Sequence, residues 1–188
     1  MKSFRLPFRP MVGPRAVLQD QLQTGRTGGV LELAKAGLGA ISTVRHMSTA
    51  LFRLSQVAGR FWGPLGHVVK QLNHVLTGAD LAWQAQIGTG LKLYHPTGVV
   101  IGPGVVAGAG LIVQQGVTIG GRGGAHDGSP LIGLDVVLGA GAKILGPIVV
   151  GDGARIGANA VVLIDVGQGR TAVGIPARLQ DRAKQTGP

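Results

Sequence analysis

Five histidines and no cysteine set the chemistry open to this 188-residue chain. Without a thiol there is no thiolate nucleophile, disulfide framework or thiolate zinc site, and imidazole is the group left to exchange protons near neutrality. The five histidines differ in setting. His95 precedes Pro96, beside a two-residue interruption of a repeat, and His126 lies in the glycine-rich stretch from Gly120 to Pro130, GGRGGAHDGSP. His67 and His74 are seven apart and share one face of a predicted helix, and His46 adjoins Arg45. A positioned imidazole suits general-base work on a hydroxyl, removing its proton as the oxygen attacks. No serine sits in a nucleophile elbow, so direct transfer to an acceptor is simpler than a covalent enzyme intermediate. For a histidine beside a proline, a structural role stands at this point as an equal alternative.

The scaffold that holds these groups is built from glycine and small aliphatics. Glycine takes 34 of 188 positions, about 18% against an ordinary usage of roughly 7%. Apolar residues make up 45%, charged residues 14% and aromatics 4%. Such a composition excludes a disordered chain and implies a core of thin stacked layers. The formal charge of +10 is uneven, with ten Lys or Arg against three acids in residues 1–80 and eight against five thereafter. That balance favours anionic partners. There is no helix-turn-helix signature, zinc-finger spacing or aromatic-interleaved basic strand, so no nucleic-acid partner is expected. Met1 to Gln19 carries four basic residues and three prolines without an apolar stretch of signal-peptide length, which predicts a cytoplasmic protein. Its basic helices, with Arg45, Arg53, Arg60 and Lys70, would suit peripheral association with the inner membrane face. The longest charge-free run, Pro96 to Gly121, contains eight glycines and two glutamines and reads as a repeat rather than a membrane span.

Two periods divide the chain. Up to Asp80 the apolar residues recur at helical spacing, in groups led by Val30, Val44 and Val68, which predicts about three helices. Gly63-Pro64 breaks the second from the third, and Thr77-Gly78 closes the last. Beyond Asp80 the period is six: Ile101, Ala107, Val113 and Ile119, then Ile132, Leu138, Ile144, Val150, Ile156 and Val162, mostly followed by glycine. Ile87 and Leu93 begin the pattern one coil earlier. A hexapeptide repeat of this kind predicts a parallel β-helix of about 18 residues per coil, with the key aliphatic inward and glycine at the corners. The predicted organisation is a helical segment over 1–79, a β-helix domain over 80–179 and a tail over 180–188. The interruption beside His95 and the loop from Gly120 to Pro130 break the repeat, and a long glycine-rich excursion from a rigid coil is a candidate functional loop.

The stretch from Asp80 through Leu179 resembles the hexapeptide-repeat acyltransferases, in their serine O-acetyltransferase branch. The landmarks are DLAWQAQIGTGLKLYHPTGVVIG, QQGVTIGGRGG, IGLDVVLGAGAKILGPIVVGDGARIGANAVVL and TAVGIPARL. The resemblance implies a mainly β, left-handed β-helix, a homotrimer with active sites between neighbouring subunits, and acetyl-CoA as donor with no metal. The family's catalytic histidine falls on His95 and its supporting aspartate on Asp80. A carboxylate on the second ring nitrogen would fix the tautomer and stabilise the imidazolium. In a coil of about 18 residues, positions fifteen apart lie on neighbouring coils a few residues out of register. The backbone N–H of Gly120 or Gly121 is the candidate donor to the developing oxyanion. By the same resemblance the pantetheine arm touches Gly121, Ala140 and Ala158, and Lys143 and Arg178 would suit the phosphates.

The acceptor side departs from that branch. Tyr94 stands where the family has Asp, and Gly128-Ser129 where its loop carries an Arg-His pair, leaving Tyr94, Arg122 and His126 as acceptor-binding candidates. GVTIGGRGG also resembles the loop of short exopolysaccharide acetyltransferases of the colanic acid type. The expectation drawn from these departures is O-acetylation of a sugar hydroxyl in a bacterial exopolysaccharide or capsule precursor. Serine O-acetylation for cysteine biosynthesis is the alternative.

Overall fold

The computed structural model describes residue 20 and residues 43–124 and 127–180. Two helices, α1 (Val44–Phe61) and α2 (Gly63–Thr77), precede a three-sided parallel β-helix. The first side stacks β1 (Asp80–Leu81), β4 (Val100–Ile101), β7 (Thr118–Gly120), β10 (Lys143–Leu145) and β13 (Val161–Val162). The second stacks β2 (Gln86–Ile87), β5 (Val106–Ala107), β8 (Leu131–Ile132) and β11 (Val149–Val150), extended by a bridge from Val150 to Val166. The third holds β3 (Lys92–Leu93), β6 (Ile112–Val113), β9 (Val137–Leu138), β12 (Arg155–Ile156), β14 (Thr171–Val173) and β15 (Arg178–Gln180). All pairings are parallel except β14 with β15.

The six-residue period is the cause of this shape. In each short strand from β1 to β13 one residue turns into the solenoid. The inward residues stack coil on coil as Leu81–Ile101–Ile119–Ile144–Val162, Ile87–Ala107–Ile132–Val150 and Leu93–Val113–Leu138–Ile156. Every position of the predicted register is buried. Fully burying one such branched side chain is worth about 1.5–3 kcal/mol, and the backbone between coils is paired, so the narrow interior needs no polar atoms. The eight-residue step from Leu93 to Ile101 places the predicted interruption at the corner between the third and first sides.

The helices close the first coil. Thr43 caps α1, its hydroxyl accepting from the His46 N–H, and α2 ends on Gly78 in a left-handed conformation (φ 74°). The first predicted helix, led by Val30, lies outside the described residues; the Gly63-Pro64 break and the Thr77-Gly78 end are where the sequence puts them. Arg53, read as part of a basic outer face, is instead fully buried. Its Nε donates to Asp20 Oδ2 at 2.8 Å, Nη1 to the Ile87 carbonyl at 2.8 Å and Nη2 to the Gly88 carbonyl at 2.6 Å. Asp20 Oδ1 accepts from the Leu91 N–H at 3.0 Å, and Gln56 donates to the Ala85 carbonyl at 2.8 Å. The reason is topological: β2 is the edge of its side, and edge carbonyls without a neighbouring coil need donors from elsewhere. Burial pushes the Asp20 carboxyl above its ordinary range, with the Arg53 guanidinium and the Leu91 N–H acting in the opposite direction. Among the described residues, no helix is long and apolar enough to cross a membrane.

Candidate active site

His95 sits just after β3, on the corner between the third and first sides, and Asp80 opens β1 on the first side. The coil sets both at the start of the first side, His95 on the corner that leads into it and Asp80 on its first strand. The corner after His95 lies against the end of α2, with the Gly98 N–H donating to the Gly78 carbonyl at 2.9 Å and the Asp80 N–H to the Val99 carbonyl at 2.8 Å. Asp80 is then in register with Val100. His95 is exposed.

The Asp80 carboxylate pairs with Lys70 of α2, Nζ to Oδ1 at 2.6 Å, the two side chains being 37% and 22% exposed respectively. An ion pair this exposed is worth about 0–1 kcal/mol, so it is a weak claim on the carboxylate. On the other helix, the Arg45 guanidinium lies over the Tyr94 ring, 5.6 Å from its centroid. Each helix thus presents a cation to one part of the corner. Neither cation has a sequence signal as a site residue: Lys70 is ten positions from Asp80 and Arg45 nearly fifty from Tyr94, and only the docking of the helices unites them.

The same corner carries the predicted cofactor residues upward. The Gly116 N–H donates to the Thr97 carbonyl at 3.0 Å, the Gly141 N–H to the Gln115 carbonyl at 2.8 Å and the Asn159 N–H to the Ala140 carbonyl at 2.7 Å, so Ala140 and Ala158 stand in a column above Thr97, two residues after His95. The Ala140 N–H is taken by Gln114 Oε1 at 3.0 Å. Within the column the coils approach closely: a Cβ on Gly139 would lie 2.7 Å from the Ala158 nitrogen. Lys143, on the outer face of the first side, lays its ammonium along the coil below, donating to the Gly116 carbonyl at 2.5 Å and Thr118 Oγ1 at 3.1 Å.

On the other edge of the first side the chain leaves the coil after Gly120. Gly120 is buried, yet among the described residues no atom lies within 4 Å of a Cβ built on it. Beyond it, Gly123 and Gly124 turn the chain at φ 75° and 67°, and Asp127 Oδ1 accepts from the Gly128 N–H at 2.9 Å while lying 3.0 Å from where a Cβ on Gly121 would stand. Arg122 is exposed, Ser129 rests on Gly104 of the coil below and Gly128 on Pro147 of the coil above. His126 lies outside the described residues. The first side and its two bounding corners therefore gather the predicted residues that are described, except Arg178. That residue is exposed on β15 of the third side, in register with Val173. Among the described residues, no group of three His, Cys, Asp or Glu is arranged to hold a metal.

Comparison with known proteins bears on both scaffold and site. Residues 129–163 match the family model for the bacterial transferase hexapeptide (six repeats). The serine acetyltransferase of Haemophilus influenzae is 44% identical over 199 aligned positions, covering 97% of this chain and 74% of that protein. Among solved structures, soybean serine acetyltransferase complexed with serine superposes with a TM-score of 0.75 at 33% identity, covering 89% of this chain and 68% of that one. A serine acetyltransferase complexed with CoA gives 0.74 at 31% identity, covering 88% and 68%. These neighbours are left-handed β-helix enzymes. The expected likeness to exopolysaccharide acetyltransferases, and with it a sugar hydroxyl as acceptor, is overturned: the relatives are named serine acetyltransferases, and the likeness runs through the helical segment as well as the coils. This chain is an acyltransferase and belongs to the serine acetyltransferase family.

Proposed function

We propose that this protein is a serine O-acetyltransferase, moving acetyl from acetyl-CoA to the hydroxyl of L-serine. The observation that carries the reading is the 44% identity over nearly the whole chain to a protein of that name. In this proposal His95 is the general base. The acceptor hydroxyl loses its proton to His95 as its oxygen bonds to the acetyl carbon, and the proton passes to the departing thiolate as the carbon–sulfur bond breaks. Asp80, released from Lys70, holds the second ring nitrogen and stabilises the imidazolium. A backbone N–H at Gly120 or Gly121 receives the charge developing on the carbonyl oxygen.

Ala140 and Ala158 are the small residues along which the pantetheine arm would lie, and a column of small side chains at one corner is compatible with an extended thin ligand. For the phosphates, Arg178 remains a candidate, whereas Lys143 would first have to give up its two bonds within the coil. Tyr94, Arg122 and His126 are the acceptor-side candidates. Assembly as a homotrimer, with sites between neighbouring subunits, and a cytoplasmic location belong to the same proposal; light scattering showing a mass other than three chains would remove the trimer.

The test is thiol release from acetyl-CoA in the presence of L-serine. Turnover that His95→Ala lowers by about 10²–10⁴-fold, with an unchanged far-ultraviolet spectrum, is the expected result. Absence of L-serine-dependent thiol release would overturn the function, and full activity in His95→Ala would overturn the assignment of the base.

A further inference from the structure

Arg45 occupies a position that helix stability does not explain. It lies in the first turn of α1, which contains no acidic residue, and a cation there opposes the helix macrodipole. It is half-buried. Its guanidinium is fixed from two directions, over the Tyr94 ring at 5.6 Å and with Nη2 3.3 Å from His46 Nε2. A guanidinium carries five N–H donors, and these contacts leave most of its planar fork unused. Among the described residues no carboxylate pairs with it. Asp20 lines the same small cavity beside Arg45, but its oxygens already accept from Arg53 and the Leu91 N–H, and Lys92 adds a second cation to the lining. Among the described residues, the result is a pre-oriented cation without a counter-charge, lying over the ring of the residue before His95.

We infer that Arg45 is the carboxylate anchor of the acceptor site, its guanidinium receiving the acceptor's carboxylate while the hydroxyl is presented to His95. The inference rests on the proposed reading of serine as acceptor and adds a residue to it. In L-serine the carboxylate is borne on the carbon adjoining the hydroxyl-bearing one, so an anchor for it must lie close to the base, and Arg45 lies over the ring of Tyr94, the residue before His95. Planar, bidentate geometry is what distinguishes an arginine at such a site from a lysine. Arg122, exposed on the glycine-rich loop, is the rival cation.

The experiment compares L-serine with L-serinamide, whose carboxylate is replaced by a neutral amide, at saturating acetyl-CoA. Arg45→Ala should lower the ratio of kcat/KM for L-serine over L-serinamide by about 10- to 100-fold, the effect of losing a hydrogen-bonded charge pair, with Arg45→Lys recovering part of it. An unchanged ratio overturns the inference, whether both acceptors lose activity together, as for a residue that only packs α1 on the coil, or neither does. A fall in the ratio in Arg122→Ala but not in Arg45→Ala overturns it in favour of the loop. Failure of the parent protein to acetylate L-serine is a different result, read before any variant is made, and it removes the function itself.

Discussion

The N-terminal end of the solenoid and the corner after β7 are both places where the regular stacking of coils stops, and they are treated in opposite ways. At the end, edge carbonyls that lack a neighbouring coil are met by buried donors from α1, and a fully buried ion pair is accepted to do it. At the corner, the chain swings out between coils, and no described atom stands within 4 Å of where a Cβ on Gly120 would be. The contrast teaches that an interruption of a repeat is structural when its backbone groups are all satisfied from within, and a candidate site when room is left next to polar backbone.

Breaking the closed end should have the largest effect. Arg53→Ala strands a buried carboxylate and two edge carbonyls, and the expected loss is about 3–5 kcal/mol in denaturant titrations. Burial already raises the Asp20 carboxyl above its unfolded value, and without the Arg53 guanidinium only backbone N–H donors such as Leu91 oppose it. The variant's stability is therefore greatest at low pH and declines as pH rises through the raised value, so part of the loss should be recovered on acidification towards about pH 4. A variant as stable as the parent at neutral pH would show that the end is not held by this residue. Next in size, Gly139→Ala forces a Cβ onto the backbone of the coil above and should cost about 1–3 kcal/mol as overpacking, measured by the thermal midpoint. Smallest is Gly120→Ala, within about 0.5 kcal/mol of the parent, since no described atom lies within 4 Å of the added Cβ. Its effect should appear instead as a raised KM for acetyl-CoA. Equal thermal losses in the two glycine variants would erase the distinction between a closed and an open corner.

Glycine at position one after an inward aliphatic looks the same at 120 and 139 in the sequence, and only the second is packed. The solenoid itself was legible, because a period of six with Ile119 or Leu138 inward admits one face of one strand per unit, and each inward residue is found stacked on its counterpart. Arg53 was not legible. Its counter-charge is 33 positions away and its other partners are carbonyls, which carry no side-chain signal, so it read as one more cation on a basic helix. Lys70 and Arg45 escaped for a related reason: which face of a helix meets a coil is set by docking, and the helical period gives only that a face exists. The acceptor was not legible, because Tyr94, Gly128-Ser129 and the GVTIGGRGG loop point away from serine while the likeness to serine acetyltransferases is spread over the whole chain.

At the far end of the solenoid the chain turns back, and β15 runs antiparallel along β14, Thr171 facing Gln180. A stack of identical coils is an open-ended template, since the last strand of each side offers the same unpaired row of donors and acceptors that the first strand of a second molecule would present. By laying its own reversed strand on that row, the third side replaces a parallel-accepting edge with one of the wrong polarity for another coil. With α1 seated on the opposite end, the third side closes one end of the stack to a further parallel coil and the helix covers the other, the part that atypical terminal units play in solenoids in general.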